Sequence, residues 1–137
     1  MSVYVDQAKA KMLKFIGGVG TGSIHITSFV VGTAPLYTPT HDQTALRNPI
    51  LAKDITMYEI IRPHEDIQSY ILRYTCQLEI SECVGQNITE LGLVDADGDL
   101  VCVKTFRAKE KTGNADMTFI VDDIFESELV LSDSTNA

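Results

Sequence analysis

Alternation of apolar and polar residues is clearest from residue 72 to residue 80. The apolar positions are Leu72, Tyr74, Cys76, Leu78 and Ile80, and the polar positions between them are Arg73, Thr75, Gln77 and Glu79. A period of two residues is typical of a strand with one buried and one solvated face. The pattern therefore predicts a strand here and places Cys76 in the core.

Other segments have the β-branched and aromatic composition of strands. They are residues 23–32, residues 50–62, the two halves of 88–106, and residues 117–125, where Met117, Phe119 and Val121 alternate with Thr118, Ile120 and Asp122. In the first of these, His25 is predicted to point away from Ile24 and Ile26. A turn is predicted from Pro63 to Asp66.

The dipeptide Asp97-Gly98 lies between the two strand-like halves of 88–106. It predicts a tight hairpin in which both central residues have positive φ. The string DADGD is also similar to the start of an EF-hand calcium loop, but such a loop needs Gly at position 6 and Glu at position 12. Counted from Asp95, Gly98 is at position 4 and Phe106 at position 12, so no calcium site is predicted.

The N-terminal region predicts an extended arm over residues 1–6 and then a helix capped by Asp6. The apolar positions Ala8, Met12, Phe15 and Ile16 share one face of that helix, and the pair Gly17-Gly18 ends it. The string GGVGTG lacks the Gly-Lys-Ser/Thr of a phosphate loop and joins a helix to a strand, so it is interpreted as a connection.

A long loop is predicted between Gly32 and Pro49. Thr40 and Gln43 have the spacing of a capping box, which predicts a short helix through Leu46, and Pro49 stops it. Taken together, the segments predict an α+β fold with a mostly antiparallel sheet of about five or six strands, an N-terminal helix and this short helix in the long loop.

The composition is that of one soluble domain spanning residues 1–137. The chain has 137 residues, of which 45% are hydrophobic and 22% are charged. No apolar run approaches the roughly 20 residues of a membrane span, and the N-terminus lacks a secretory signal, so synthesis in a cytosol without membrane insertion is expected.

The net charge of −8 disfavours binding to nucleic acid. No basic residue follows Lys111, whereas six acidic residues do. The acidic end, including residues 127–137, is interpreted as a disordered solvated tail, with a docking patch for a basic partner as the alternative.

No set of residues points to catalysis, to a metal or to another cofactor. Cys76, Cys83 and Cys102 form no CxxC pair and have no zinc-ligand spacing to histidine. His41-Asp42 and His64-Glu65 are interpreted as turn residues, and Cys83 has no activating group beside it in sequence. We therefore expect three reduced structural thiols and no enzymatic activity.

The order of the segments resembles the N-terminal domain of bacteriophage tail-collar fibre proteins, over roughly residues 7–121. The resemblance is carried by SIHITSFVVGT (23–33), PTHDQTALRNP (39–49), which includes Asp42, Gln43, Thr44, Ala45 and Leu46, and ITELGLVDADGDLVCVKTF (88–106). Two departures are the loop TAPLYT at 33–38, which lacks a glycine run, and the end of the chain about fifteen residues after the last predicted strand, where fibres continue into a shaft.

The resemblance implies a structural virion protein, made in the host cytoplasm, that attaches tail fibres to the baseplate of a contractile tail. Its implied partners are phage baseplate and tail-fibre proteins, and it implies a homo-oligomer, with a trimer as one possibility. A small ligand- or glycan-binding module and a fibre-assembly chaperone are the alternatives.

The long loop is the predicted attachment surface, because an irregular loop of this length in a compact domain usually has a function or a partner. Leu36 and Tyr37 are candidate apolar anchors, surrounded by the polar residues His41, Asp42, Gln43 and Arg47. In the alternative interpretation, Leu36, Tyr37 and Leu46 fold back and cover an open edge of the sheet.

Overall fold

The structure is a computed structural model that describes residues 1–20, 24–61 and 70–125. Its elements in chain order are β1 (Ser2–Tyr4), α1 (Asp6–Gly17), β2 (Ile26–Gly32), β3 (Pro49–Asp54), β4 (Met57–Ile61), β5 (Tyr70–Leu78), β6 (Asn87–Asp95), β7 (Leu100–Glu110) and β8 (Met117–Phe125). The strands form a five-stranded sheet in the order β1-β7-β6-β2-β3 and a three-stranded sheet in the order β4-β5-β8. Every strand pairing is antiparallel, which confirms the predicted α+β class.

The described residues contain eight strands where about five or six were predicted. Part of the predicted N-terminal arm forms β1, which pairs with β7. The described part of the segment predicted as one strand over 50–62 forms two strands in different sheets, because the chain crosses between the sheets at Ile55 and Thr56. There the amide of Ile55 donates to Thr27 and that of Thr56 to Thr75. Neither glycine nor proline marks this crossing, so composition alone suggested one strand.

The two sheets share one hydrophobic core. From the larger sheet it includes Phe29, Leu91 and Leu93, and from the smaller one Tyr74, Cys76, Leu78, Phe119 and Val121. Cys76 and Leu78 are fully buried and Tyr74 nearly so, which confirms the predicted alternation within β5, but Ile80 is 49% exposed because the strand ends at Leu78. The rings of Phe106 and Phe119 lie 5.4 Å apart between centroids and join the sheets where β7 faces β8.

Helix α1 differs from the prediction at its start and along its apolar face. Val5 is the N-cap residue, and Asp6 lies in the first turn without capping it. The helix ends at Gly18 in the left-handed conformation, as its glycines predicted. Ala8 is buried and Met12 packs partly against the core, but Phe15 and Ile16, in the last turn, are 59% and 76% exposed.

Polar side chains of α1 contribute to its docking. Gln7 donates a hydrogen bond from Nε2 to the carbonyl of Leu100, and Lys11, one turn later, reaches the β6–β7 hairpin. Among the described residues, no helix has the length and apolar character needed to cross a membrane.

The β6–β7 hairpin is tight, as predicted, but its turn is of another type. Gly98 has a φ of 87° and donates its amide to the carbonyl of Asp95, while Asp97 does not have positive φ. The amide of Asp95 also donates to the carbonyl of Asp99. This is a three-residue turn with glycine at the left-handed position. The prediction that both central residues have positive φ was wrong.

The loop between β2 and β3 contains no helix, so the predicted helix from Thr40 to Leu46 was wrong. Gln43 and Thr40 do contact each other as in a capping box, at 3.4 Å from the Thr40 amide to Gln43 Oε1, but only one turn forms. Directly after this turn, the amides of Arg47 and Asn48 bind Glu90, which holds this end of the loop in an irregular conformation. The predicted turn at Pro63–Asp66 and the acidic tail at 127–137 lie outside the described residues.

Candidate partner-binding surface

A buried carboxylate organises the loop between β2 and β3. Glu90 lies in β6 with none of its surface exposed. Its Oε1 accepts hydrogen bonds from the Tyr37 hydroxyl at 2.6 Å and from the Arg47 amide at 3.0 Å, and its Oε2 accepts one from the Asn48 amide at 2.8 Å. A carboxylate is tolerated in a core only when such donors replace water. Glu90 thereby fixes Tyr37, in the first half of the loop, and the loop's last two residues to the sheet.

Gly32 makes room for this carboxylate. It lies opposite Glu90 in the pairing of β2 with β6. A Cβ atom at Gly32 would overlap Glu90 Oε2 and would lie 2.6 Å from the carbonyl oxygen of Asn48. The glycine is therefore required by the close approach of the side chain and the loop.

Three of the six predicted surface residues hold the loop together. Gln43 donates from Nε2 to the Tyr37 hydroxyl and to the carbonyl of Ala45, each at 2.8 Å. The guanidinium of Arg47 lies 3.9 Å from the centroid of the Tyr37 ring, a cation–π distance. Burial, followed by the hydrogen bond with Glu90, raises the pKa of Tyr37. Tyr37 and Gln43 thus belong to an internal network, and Arg47 covers it from the solvent side.

The other three predicted residues face solvent. Leu36 is 62% exposed, and Asp42 is also exposed. The exposed ring of His41 contacts Asp6 at 2.7 Å between Nδ1 and Oδ2, and the Asp6 amide donates to the carbonyl of His41. The hydrogen bond with Asp6 raises the pKa of His41. This pair attaches the loop to the first turn of α1.

In the alternative interpretation, Leu36, Tyr37 and Leu46 fold back onto the sheet, and this applies to two of the three residues. Leu46 is 5% exposed and packs toward Gly92 of β6, and Tyr37 is half-buried. Leu36 instead projects outward. The loop therefore covers one face of the larger sheet and also presents an outer surface, here called the loop surface: Leu36, His41, Asp42 and the Arg47 side chain.

A second cluster joins α1 to the β6–β7 hairpin. The ammonium of Lys11 lies 2.7 Å from Asp95 Oδ2, 3.2 Å from Asp97 Oδ2 and 2.6 Å from Asp99 Oδ2. The other oxygen of Asp95 accepts the amides of Asp97 and Asp99. Three carboxylate oxygens within 4.8 Å could hold a cation, and here they surround the ammonium of Lys11.

Charge pairing shifts the pKa values within this cluster. Hydrogen bonds with Asp95 and Asp99 raise the pKa of Lys11. Burial alone would raise the pKa of Asp95, but the hydrogen bonds from Lys11 and from the hairpin amides outweigh it and hold that pKa below its ordinary value. The sequence pattern did not predict this contact, because Lys11 and the three aspartates are more than eighty residues apart in the chain.

The thiols have the surroundings of structural cysteines. Burial raises the pKa of Cys76 to about 12 and that of Cys102 to about 11, and it also raises the pKa of half-buried Cys83. A nucleophilic cysteine requires the opposite shift. Within the described residues, no thiol is hydrogen-bonded to a histidine.

Comparison of the chain with protein-family models, with curated proteins and with solved structures finds no match. The resemblance to phage tail-collar domains therefore stays a prediction.

Proposed function

We propose that this chain is a non-enzymatic attachment protein of a phage tail or of a related contractile particle, joining fibres to the baseplate. The observation that carries the proposal is the loop between β2 and β3, which is irregular, long and fixed in one conformation by Glu90. A preorganised surface loses less conformational entropy on binding than a flexible one. The loop surface is the part of it that is available to a partner.

The packing of the three resembling segments supports this proposal. Segment 23–33 supplies Gly32, segment 39–49 supplies Gln43 and the amide of Asn48, and segment 88–106 supplies Glu90. Glu90 accepts the amide of Asn48, Gly32 leaves space for its carboxylate, and Gln43 reaches it through the Tyr37 hydroxyl. The three segments that carry the resemblance are therefore in contact in the fold.

The chemistry of the loop surface fits a protein partner. Leu36 offers an apolar anchor, and His41, Asp42 and Arg47 offer directional polar contacts around it, the arrangement of a core and a rim. The outer atoms of Arg47 are already held above Tyr37, so little side-chain freedom remains to be lost when it binds.

Mass spectrometry of purified particles tests the proposal. If the chain joins fibres to a baseplate, tails purified from the phage or prophage that encodes it contain it at a fixed ratio to baseplate proteins. Its absence from assembled tails would overturn the proposal. A requirement for the chain in fibre assembly, combined with that absence, would identify a chaperone instead.

A glycan-binding module is the second candidate, because one small cleft carries aromatic rings. The cleft has a volume of about 180 Å³ and is lined by His25, Tyr58 and Tyr74 among others. Tyr58 is 44% exposed, and aromatic faces stack on sugars. Binding of the isolated chain on a glycan array, lost in Tyr58→Ala with the melting temperature kept, would favour this function over attachment.

A further inference from the structure

The outer edge of β7 is paired along only part of its length. On that side β1 pairs with Cys102, Val103 and Lys104, and the Thr105 amide then donates to the carbonyl of Met1 at 2.8 Å. Within the described residues, no strand pairs with this edge beyond Thr105. An unpaired strand edge offers backbone donors and acceptors to another chain.

The pairing of β7 with β6 is irregular along the unpaired part. Between the pairs Glu90–Thr105 and Ile88–Lys109, β7 has three residues where β6 has one. Such a bulge changes the direction of the strand and of its side chains. It separates residues 106–108 from the regular ladder with β6.

Two clefts adjoin this edge, one on each face of the sheet. The inner cleft, of about 370 Å³, lies between the sheets and is lined by Leu91, Phe106, Phe119 and Val121 among others. The outer cleft, of about 350 Å³, lies toward the loop and is lined by Leu36, Tyr37, Thr38 and Arg107 among others. Both clefts also include Met1, Thr105 and Phe106 in their walls.

This placement suits an added strand, because successive side chains of a strand point to opposite faces of the sheet. A segment beside β7 would direct alternate side chains into the inner and the outer cleft. Thr105 lies where the clefts meet, is 3% exposed, and has a hydroxyl oxygen with no hydrogen-bond partner among the described residues.

The edge is basic in an otherwise acidic protein. Residues 104–109 include Lys104, Arg107 and Lys109 and no acidic residue, while the chain as a whole has a net charge of −8. Among the described residues, none of these three cations forms a salt bridge. The Lys109 ammonium lies 5.6 Å from the Phe106 ring centroid, at the mouth of the inner cleft. A segment whose charge is complementary to this edge is therefore negatively charged.

We propose that the β7 edge from Phe106 to Lys109, beyond the backbone pair of Thr105 with Met1, binds an extended acidic segment of a partner protein, which adds a strand in continuation of β1. Main-chain hydrogen bonds supply affinity, the two clefts select the alternating side chains, and Arg107 and Lys109 select acidic residues. The inference goes beyond the proposed function, because it concerns the chemistry of a partner segment whether or not that partner is a tail protein.

Selection from a display library of random twelve-residue peptides on the immobilised full chain tests this inference. The expected peptides are rich in Asp and Glu, with apolar residues at alternate positions. The double variant Arg107→Glu/Lys109→Glu is expected to weaken their binding at least tenfold. The matched control Lys9→Glu/Lys14→Glu, with the same charge change on α1, is expected to leave it within twofold. No enrichment, enrichment of basic peptides or equal losses in both variants would overturn the inference.

Backbone methylation of a selected peptide tests the strand addition without changing the protein. N-methyl groups at one set of alternate residues should abolish binding, whereas the same groups at the other set should preserve it, because only one set faces β7. Equal binding of both peptides would overturn the proposed strand. Self-association of the full chain that is abolished by Arg107→Glu/Lys109→Glu would replace the partner protein by a second copy, and would also overturn it.

Discussion

The hydroxyl of Tyr37 donates a hydrogen bond of 2.6 Å to Oε1 of Glu90, joining a half-buried loop residue to a fully buried strand residue. Tyr37 therefore contributes to the folded state whether or not it touches a partner. A Tyr37→Ala variant would confuse loss of binding with loss of structure. Tests of the loop surface should change Leu36 instead.

Loss of the hydrogen bonds of Glu90 should lower the free energy of unfolding, by more when more of these bonds are lost. Tyr37→Phe is expected to reduce the free energy of unfolding by about 1–2 kcal/mol, because one hydrogen bond to a buried carboxylate is lost. Glu90→Gln is expected to cost about 2–3 kcal/mol, because its amide group cannot accept from all three donors. Urea unfolding gives both values.

The control for Glu90→Gln is Glu110→Gln, at an exposed position of β7. It should change the free energy of unfolding by less than about 0.5 kcal/mol. Equal stability of Glu90→Gln and wild type would show that the carboxylate does not fix the loop.

Gly32→Ala should be strongly destabilising, by about 2–4 kcal/mol, because the added methyl group overlaps the Glu90 carboxylate and the Asn48 carbonyl. Gly113→Ala is the matched control, since its Cβ would meet the nearest atom, in Val84, at an ordinary 3.4 Å. Thermal unfolding of the two variants compares them directly. A Gly32→Ala protein as stable as Gly113→Ala would contradict the observed packing.

The ammonium of Lys11 should stabilise the β6–β7 hairpin. Lys11→Met is expected to lower the free energy of unfolding by about 1–2 kcal/mol, allowing for partial exposure of the cluster. Lys14→Met, on the same helix and outside the cluster, is the control. Calcium should leave the wild-type melting temperature unchanged, since Lys11 already lies among the carboxylates, and a rise of several degrees would contradict this.

The same cluster gives stability a pH dependence of defined sign. The pKa of Asp95 is lower in the folded state than its ordinary value, so its contribution is complete above an unfolded pKa of about 3.9 and is lost as pH falls through the folded pKa. The difference in free energy of unfolding between wild type and Lys11→Met should therefore be largest above about pH 4 and become smaller in more acidic solution. A difference that grows on acidification would contradict the assignment.

Thiol labelling of the native protein should be ordered by burial. Cys83 is half-buried, whereas Cys76 is fully buried and Cys102 is 7% exposed. A thiol reagent, followed by peptide mass spectrometry, should modify Cys83 first. Rapid labelling of Cys76 would mean that the faces of β5 are reversed.

The sequence predicted the features that depend on local patterns. The alternation through Tyr74, Cys76 and Leu78 predicted the buried face of β5, and Gly98 predicted the hairpin. The strand boundary at Ile55 was not predicted, because the change of sheet is decided by pairing with Thr27 and Thr75, which are distant in sequence.

The candidate site was predicted as a region, but its internal organisation was not. A glutamate in a strand is ordinarily assigned to a solvated face, so nothing local marked Glu90 as buried. Thr40 and Gln43 favoured a helix, but only one turn forms, and the chain after it is held by the bonds of Glu90 to the amides of Arg47 and Asn48. Gly32 and Glu90 can be recognised as parts of one site only when the pairing of β2 with β6 is known.

Incorporation of a Leu36→Asp variant into tails tests the central claim, that the loop surface attaches this protein to its partners. Leu36 is 62% exposed, so the variant should keep the wild-type melting temperature. The control is Ile60→Asp, at a 75% exposed position of β4. Quantitative mass spectrometry of purified particles should show Leu36→Asp lost from tails and Ile60→Asp retained. A folded Leu36→Asp protein present at the wild-type ratio would contradict the account.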